Sequence, residues 1–451
     1  MKYRTRFVII SMFLTLLPAT VLGTDMPAQK PNFLFYLADD VNYNIFGCYG
    51  GQNIKTPNID KLASEGMRFT KAYCAVAMCG PFRAELYTGL YPMRTGVTGN
   101  WGNAKPGTKS IVHHLKDQGY RVGLVGKQHH GPASVYPFDE VGGKSGVKFM
   151  TADKNQPFCL IIASLRSHYP WPSQSVVDEK SIKLAPVQHD NPETRNVTAR
   201  YLAGVITLDN QVGEMMETLE KNGLKDNTLV MFSSEQGWPF GFAKWNNYDL
   251  GVRTAFIARW PGKIKAGSVS DALVQMADVV PTFVEAAGGK IQPGQFDGRS
   301  FYRHLLGQEQ SLRKYVYGMH NMVPQGNPYP IRYIRDEDYH YIWNLTPDEP
   351  YFQGSQMSKK LEWWPPLVEA AKKGDKDAIA LMKRCQHRPE EELFKVDEDP
   401  YELNNLADNP ELAEVKKRLR AELEHWMQEQ GDPGASLDQK PKRRKRETVK
   451  K

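Results

Sequence analysis

The sequence predicts an α/β protein: a large mixed, mostly parallel central sheet flanked by helices, followed by a smaller C-terminal α+β part built on an antiparallel sheet. Three observations predict it. Runs at Pro31 to Asp40, ending in two acids, Arg121 to Gly126, Pro157 to Leu165, and Asp226 to Gly237, with an acid and an amide at its end, read as strands of a buried parallel sheet. Helical spacing lies between them, most clearly in Tyr201 to Gly223, where Val205, Leu208, Val212, Met216 and Leu219 share one face. After about Arg313 the pattern changes to aromatic-rich alternation, Tyr315 to His320 and Ile331 to Leu345, and then to an amphipathic helix, Leu412 to Gln428. The expected parts are a leader at 1–23, the larger part at 31–313, the smaller at 314–432 and a basic, disordered tail at 433–451.

The leader has Lys2, Arg4 and Arg6, an apolar run from Phe7 to Leu17, and small residues Ala19 and Gly23, which is the layout of a secretory signal peptide. Pro18, Thr20 and Thr24 interrupt the run before it reaches the ~20 residues of a membrane span, so no stable membrane insertion is expected. That places the mature chain in the periplasm or outside the cell, or in the lysosome of an animal source. The net charge of +7 is concentrated between Lys440 and Lys451, which reads as a solvated tail; a tail gripping an acidic polysaccharide is the other reading, and no nucleic-acid partner is expected.

The first apolar run ends in Asp39-Asp40. Two adjacent acids at the carboxyl end of a buried strand suit a hard divalent cation, although a solvent-exposed turn explains the pair as well. Thr56 to Gly66 is a short helix with Thr56 as its cap and Pro57 at its first position. Phe69 to Val76 reads as a strand that delivers Cys79 to the edge where the two aspartates lie. Pro81 fits the first turn of a helix and Gly89 its end, so Cys79 stands at a helix N-terminus, where backbone N–H groups favour an anion. Arg83 lies one turn in and can reach back. Taken alone, Cys79 is also readable as a buried small hydrophobe or as half of a disulfide with Cys74.

Ser110 to Gly119 is helical, and the strand beyond it ends in Lys127-Gln128-His129-His130. Lys127 can neutralise an anionic oxygen, and His129 can transfer a proton near neutral pH. The third run is followed by His168 and Pro170, the fourth by Glu235-Gln236, and Lys244 comes nine residues after Glu235. Asn196-Val197-Thr198 and Asn344-Leu345-Thr346 are sequons.

Cys79-Gly80-Pro81-Phe82-Arg83 with Ala84-Glu85-Leu86-Tyr87-Thr88-Gly89 resembles the signature of the type I sulfatases, which have an alkaline-phosphatase-like fold. Thr56-Pro57-Asn58-Ile59-Asp60, Gly126-Lys127-Gln128-His129, His168 before Pro170, Trp260-Pro261-Gly262 and Glu392 to Ala407 extend the likeness over nearly all of 31–310 and the closing segment. The resemblance implies that Cys79 is oxidised to Cα-formylglycine by a formylglycine-generating or anaerobic sulfatase-maturing enzyme. It implies calcium (Ca2+) held by Asp39, Asp40, residue 79, Glu235 and Gln236. It further implies that Arg83, Lys127 and Lys244 neutralise the substrate sulfate, that His168 protonates the leaving group and that His129 acts as base. Asp209 matches a family residue that supports the fold, and Arg253 one in a structural ion pair.

The sequence departs from the family pattern at Gly80, Phe82, Glu235 and Gln236. Within the family it is most similar to the sulfamidase group, through Gly126 to Pro132, Val135 to Asp139, Pro239-Phe240 and Pro330-Ile331-Arg332. The implied substrate is a sulfated saccharide, in the first reading N-sulfated as in N-sulfoglucosamine; an exo-acting O-sulfatase on an algal or host polysaccharide, carrageenan or glycosaminoglycan, is the alternative. A phosphoesterase of the same fold and a noncatalytic polysaccharide-binding protein are the readings from other classes.

Overall fold

The molecule is built outward from one strand. In the computed structural model, which describes residue 1 and residues 29–140, 146–153, 155–323, 326–351 and 362–439, every residue of β1 (Asn32–Ala38) is buried. The other strands of the large sheet are β2 (Met67–Tyr73), β3 (Arg121–Gly126), β4 (Asp139–Glu140), β5 (Phe158–Ser164), β6 (Thr228–Ser234), β7 (Arg253–Arg259), β8 (Ser268–Ser270) and β9 (Val274–Gln275). Their order is β4-β3-β5-β1-β6-β7-β2-β8, with β9 also paired to β2. The strands from β4 to β6 run parallel, whereas β7 runs antiparallel to both β6 and β2. β1, β2, β3, β5 and β6 therefore point the same way, and the segments that leave their carboxyl ends gather at one edge of the sheet.

β3 has the bounds that its apolar pattern predicts. β7 lacks a counterpart in the sequence reading: its apolar core is short and both ends are arginine, which masks a strand whose Arg259 is only 2% exposed and paired with Glu65. The long helix runs over Pro192–Lys221, well before the predicted start, because its first turns are polar and carry no apolar stripe. Asn191 caps it, accepting a bond from the Thr194 N–H at 2.8 Å, with Pro192 in the first turn.

The expected cap of the helix Pro57–Ser64 is corrected. Thr56 makes no capping bond; its hydroxyl accepts from the Gly47 N–H and donates to Asp60. The cap comes instead from Asp209 of the long helix, whose carboxylate accepts the N–H groups of Ile59 at 2.9 Å and Asn58 at 3.2 Å and the Asn58 side chain at 2.8 Å. Local spacing gives no sign of a cap that arrives from so far along the chain.

The second sheet, β10 (Val316–His320), β11 (Ile331–Arg335), β12 (Tyr339–Asn344) and β13 (Glu391–Lys395), is antiparallel throughout. The helix Ala413–Gln430 packs on it through Leu419, Leu423, Trp426 and Met427, and the same cluster contains Ala75, Val76 and Met78. The small sheet thus grips the segment leading to Cys79: the Met319 N–H donates to the Ala75 carbonyl at 2.8 Å, and the Tyr333 hydroxyl to the Cys74 carbonyl at 2.7 Å. Gly318 permits this contact, because a Cβ there would lie 2.2 Å from the Ala75 oxygen.

Residues 433–439 continue this packing. The Asp438 carboxylate accepts the N–H groups of Met322, Val323 and Tyr329, each at 2.8 Å, so the chain is held beyond the expected start of the tail. The leader at 2–23 and the basic run from Lys440 lie outside the described residues. No described helix is long and apolar enough to cross a membrane. Asn344 is buried and donates to Pro389 and Glu392, which closes that sequon to modification in the folded chain.

Asp209→Ala is expected to lower the stability of the folded chain by roughly 1–3 kcal/mol, since it leaves buried helix-end N–H groups without an acceptor. Urea denaturation of the two proteins measures it; equal midpoints would remove Asp209 from the account of this helix.

Candidate active site

Each predicted side chain comes after a strand that ends at the shared edge. The parallel registers set Ala38 beside both Ser164 and Ser234, and Gly126 beside Ala163. Backbone bonds carry the alignment past the strands: Glu235 N–H to the Ala38 carbonyl at 2.7 Å, and Lys127 N–H to the Ala163 carbonyl at 3.0 Å. Gly126, at φ 92°, allows the second, because a Cβ would come within 2.1 Å of the Ala163 oxygen.

Cys79 begins the helix Cys79–Thr88, all of whose residues are buried, and Gly89 ends it in the left-handed conformation. The position of this helix is fixed by residues that the sequence reading passed over. Glu85 accepts the Ala75 and Ala277 N–H groups at 2.8 and 3.2 Å, and Asn100 Oδ1 accepts the Gly80 N–H at 2.9 Å. Glu85 lies inside the signature, and its carboxylate in a wholly buried helix is the signal that the sequence offers. Asn100 had none.

The site is a buried cluster of charge. Asp39 faces Lys127 at 2.5 Å and Arg83 at 3.8 Å, while Asp40 faces Lys244 at 2.7 Å and His168 Nε2 at 3.7 Å. Arg83 meets Glu235 with two nitrogens, Nε at 2.8 Å and Nη2 at 3.1 Å, and donates to the Lys127 carbonyl at 2.7 Å. Against the cost of burial, Lys127 holds the Asp39 carboxyl well below the usual range. Burial pushes Glu235 upward in spite of Arg83, and Asp39 beside it adds to the push.

Cys79 Sγ lies 3.6 Å from Asp39 Oδ1, and all five cysteines are free thiols, so Cys74 and Cys79 are not bonded. Burial, with the Asp39 charge next in weight, raises the Cys79 thiol to about 12. One ligand atom each from Asp39, Cys79 and His168 falls within a span of 4.8 Å. His168 Nδ1 is taken up by the Tyr169 carbonyl at 2.6 Å, leaving Nε2 to face the site.

His129 stands one step out from the cluster. Its ring packs 4.9 Å from Trp101, neither ring nitrogen has a hydrogen-bond partner among the described residues, and burial together with the positive charge of Lys127 lowers its pKa to about 4. The imidazole is neutral in this state. The nine remaining predicted residues, Asp39, Asp40, Cys79, Arg83, Lys127, His168, Glu235, Gln236 and Lys244, converge in one cluster of contacts.

Gln236 tests whether a cation fits. Its Nε2 is wedged 2.5 Å from Asp40 Oδ1, 3.3 Å from Asp39 Oδ1 and 3.4 Å from Cys79 Sγ, while its Oε1 is buried with no partner among the described residues. Rotating the amide exchanges those atoms and gives two carboxylates and an amide oxygen facing one point, a donor set suited to a hard divalent cation. Arg83, Lys127 and Lys244 balance Asp39, Asp40 and Glu235, so an added dication would leave the pocket positive and ready for an anion. Glu235, expected among the ligands, has both oxygens on Arg83 and would have to share one.

The family model described as Sulfatase matches residues 31–151 and 135–289, and that described as N-sulphoglucosamine sulphohydrolase, C-terminal, matches 234–349. An ulvan-active sulfatase of Formosa agariphila is 35% identical over 423 residues, covering 90% of this chain and 81% of that protein. Human N-sulphoglucosamine sulphohydrolase is 27% identical over 465 residues, covering 90% of this chain and 91% of its own. A protein solved in complex with its substrate D-glucosamine-2-N,6-O-disulfate shares the fold, with a TM-score of 0.66 at 21% identity over 90% of this chain and 99% of that one.

Calcium added to metal-stripped protein is expected to raise its melting temperature, by the equivalent of about 2.7 kcal/mol at a hundredfold excess over Kd. Asp40→Asn should abolish that rise. A melting curve indifferent to calcium in the parent protein would remove the cation from this site.

Proposed function

The chain belongs to the sulfatase family, and from that premise we propose that it removes an O-sulfate from a saccharide of an ulvan-like polysaccharide, using formylglycine at position 79 and calcium. The observation that carries the reading is the convergence of Asp39, Asp40, Lys127, His168, Gln236 and Lys244 on Cys79 at the N-terminus of a buried helix. The choice of an O-sulfate rests on the ulvan-active relative, the more similar of the two relatives described above.

Position 79 carries a thiol that burial keeps protonated, and hydrated formylglycine in its place would supply an oxygen nucleophile. Calcium, when bound, would polarise a sulfate oxygen. Asp39, Asp40 and Gln236 would hold the cation. Arg83, Lys127 and Lys244, held around Asp39, Asp40 and Glu235, would offset the charge that collects on the sulfate oxygens. His168, with Nδ1 fixed on the Tyr169 carbonyl, presents Nε2 to the departing oxygen and protonates it. His129, its pKa lowered by burial and its ring nitrogens without a hydrogen-bond partner among the described residues, accepts the proton released when sulfate departs. The leader expected at 1–23 would place this reaction in the periplasm or outside the cell.

N-sulfate hydrolysis is the second reading, and the match of residues 234–349 to the C-terminal sulphohydrolase model favours it. Those residues include Glu235, Gln236, Lys244 and β11, so the specificity of the leaving atom would be settled on that side of the pocket.

Sulfate release by the matured protein with calcium, measured on ulvan oligosaccharides and on an N-sulfated glucosamine saccharide, tests both readings. Release is expected from the ulvan fragments and is expected to fall to background in Cys79→Ala. His168→Ala should lower kcat roughly 10²–10⁴-fold. Release from the N-sulfated sugar alone would replace the first reading with the second. Phosphate release exceeding sulfate release, or activity surviving in Cys79→Ala, would overturn both.

A further inference from the structure

Trp101 is 79% exposed, a large apolar surface left to solvent directly beside the catalytic cluster. Two anchors hold it there. Its neighbour Asn100 is buried and bonds the Gly80 N–H at 2.9 Å, one residue from Cys79, and its own ring lies 4.9 Å from His129 at an angle of 54°. Its backbone is left-handed at φ 69°, a conformation that is costly for a bulky residue and is kept where the surroundings impose it. His129 has the same feature at φ 45°.

Gly80 helps to explain how the loop reaches this place. A Cβ at position 80 would stand 3.2 Å from Asn100 Oδ1 and 3.4 Å from Asn100 Cα. The commonest form of the signature has serine or threonine at this position; here the loop carrying Trp101 packs into the space that such a side chain would claim. The departure at Gly80 and the exposed indole are thus two ends of one arrangement.

We propose that Trp101 is the specificity-determining platform for the sugar ring that bears the sulfate. With the sulfate seated at residue 79 and its departing oxygen at His168, the indole beside His129 offers a flat, electron-rich face to the C–H bonds of the sugar ring that bears it. The platform would act on a saccharide and not on the anion itself. The proposal deepens the sulfatase reading and rests on it.

The test compares the parent protein with Trp101→Ala and Trp101→Phe on ulvan oligosaccharides and an N-sulfated glucosamine disaccharide, with inorganic sulfate as a competing anion. Calorimetric binding of the same probes is read alongside turnover. Trp101→Ala should raise KM and Kd for the saccharide about tenfold, leave kcat within about threefold, and leave inhibition by inorganic sulfate unchanged; Trp101→Phe should keep most of the affinity. An unchanged KM in Trp101→Ala would overturn the proposal. So would a parallel loss of kcat and of sulfate affinity, which marks a role in shaping His129. Inorganic sulfate binding to the parent protein without binding of either saccharide would overturn the platform alone. Failure of the parent to bind sulfate or saccharide would overturn the sulfatase reading with it.

Discussion

The pairing of Asp39 and Asp40 with Lys127 and Lys244 is the constraint on which the rest of this structure depends. Two adjacent carboxylates at the end of a wholly buried strand each face a desolvation cost of several kcal/mol. The lysines at 2.5 and 2.7 Å, and Arg83 behind them, offset that cost only if their own strands end at the same level. The parallel register of β1 with β5 and β6, and of β5 with β3, is therefore also what keeps the charge balanced. A shift of one residue in any of these strands would strand a charge away from its partner.

The second sheet serves the same constraint. It does not supply the predicted catalytic side chains, yet Met319 and Tyr333 bond the segment that carries Cys79 to the edge, and Glu85 holds it from the other side. The buried pair of Arg335 with Asp249, at 3.1 Å, ties β11 to the turn beyond Lys244. Both walls of the pocket are thus set by contacts with the small sheet, and the two parts of the chain work as one support for the site.

Much of this was legible in the sequence because buried parallel strands write themselves as apolar runs and the residues after them carry the chemistry. Ten site residues could be named in advance, and nine of them meet in one cluster. What stayed hidden was held by long-range contact. Asp209 caps a helix some 150 residues earlier, Asn100 and Glu85 fix the helix that begins at Cys79, and β7 hides behind terminal arginines. Glu235 was legible as an acid at a strand end but not as the partner of Arg83, since only the fold places the guanidinium within reach of both its oxygens. The tail shows the same limit: Asp438 is an ordinary acid in sequence and a buried anchor in the structure.

The account stands most directly on what side chain occupies position 79 and what lies between Asp39, Asp40 and Gln236. A high-resolution crystal structure of the matured protein grown with calcium reads both at once. The account predicts an oxygen-bearing side chain at 79 and a cation bound by the two aspartates, with the Gln236 amide turned so that Oε1 faces inward. An intact thiol at 79, with Gln236 Nε2 still between the carboxylates and no cation bound, would contradict it.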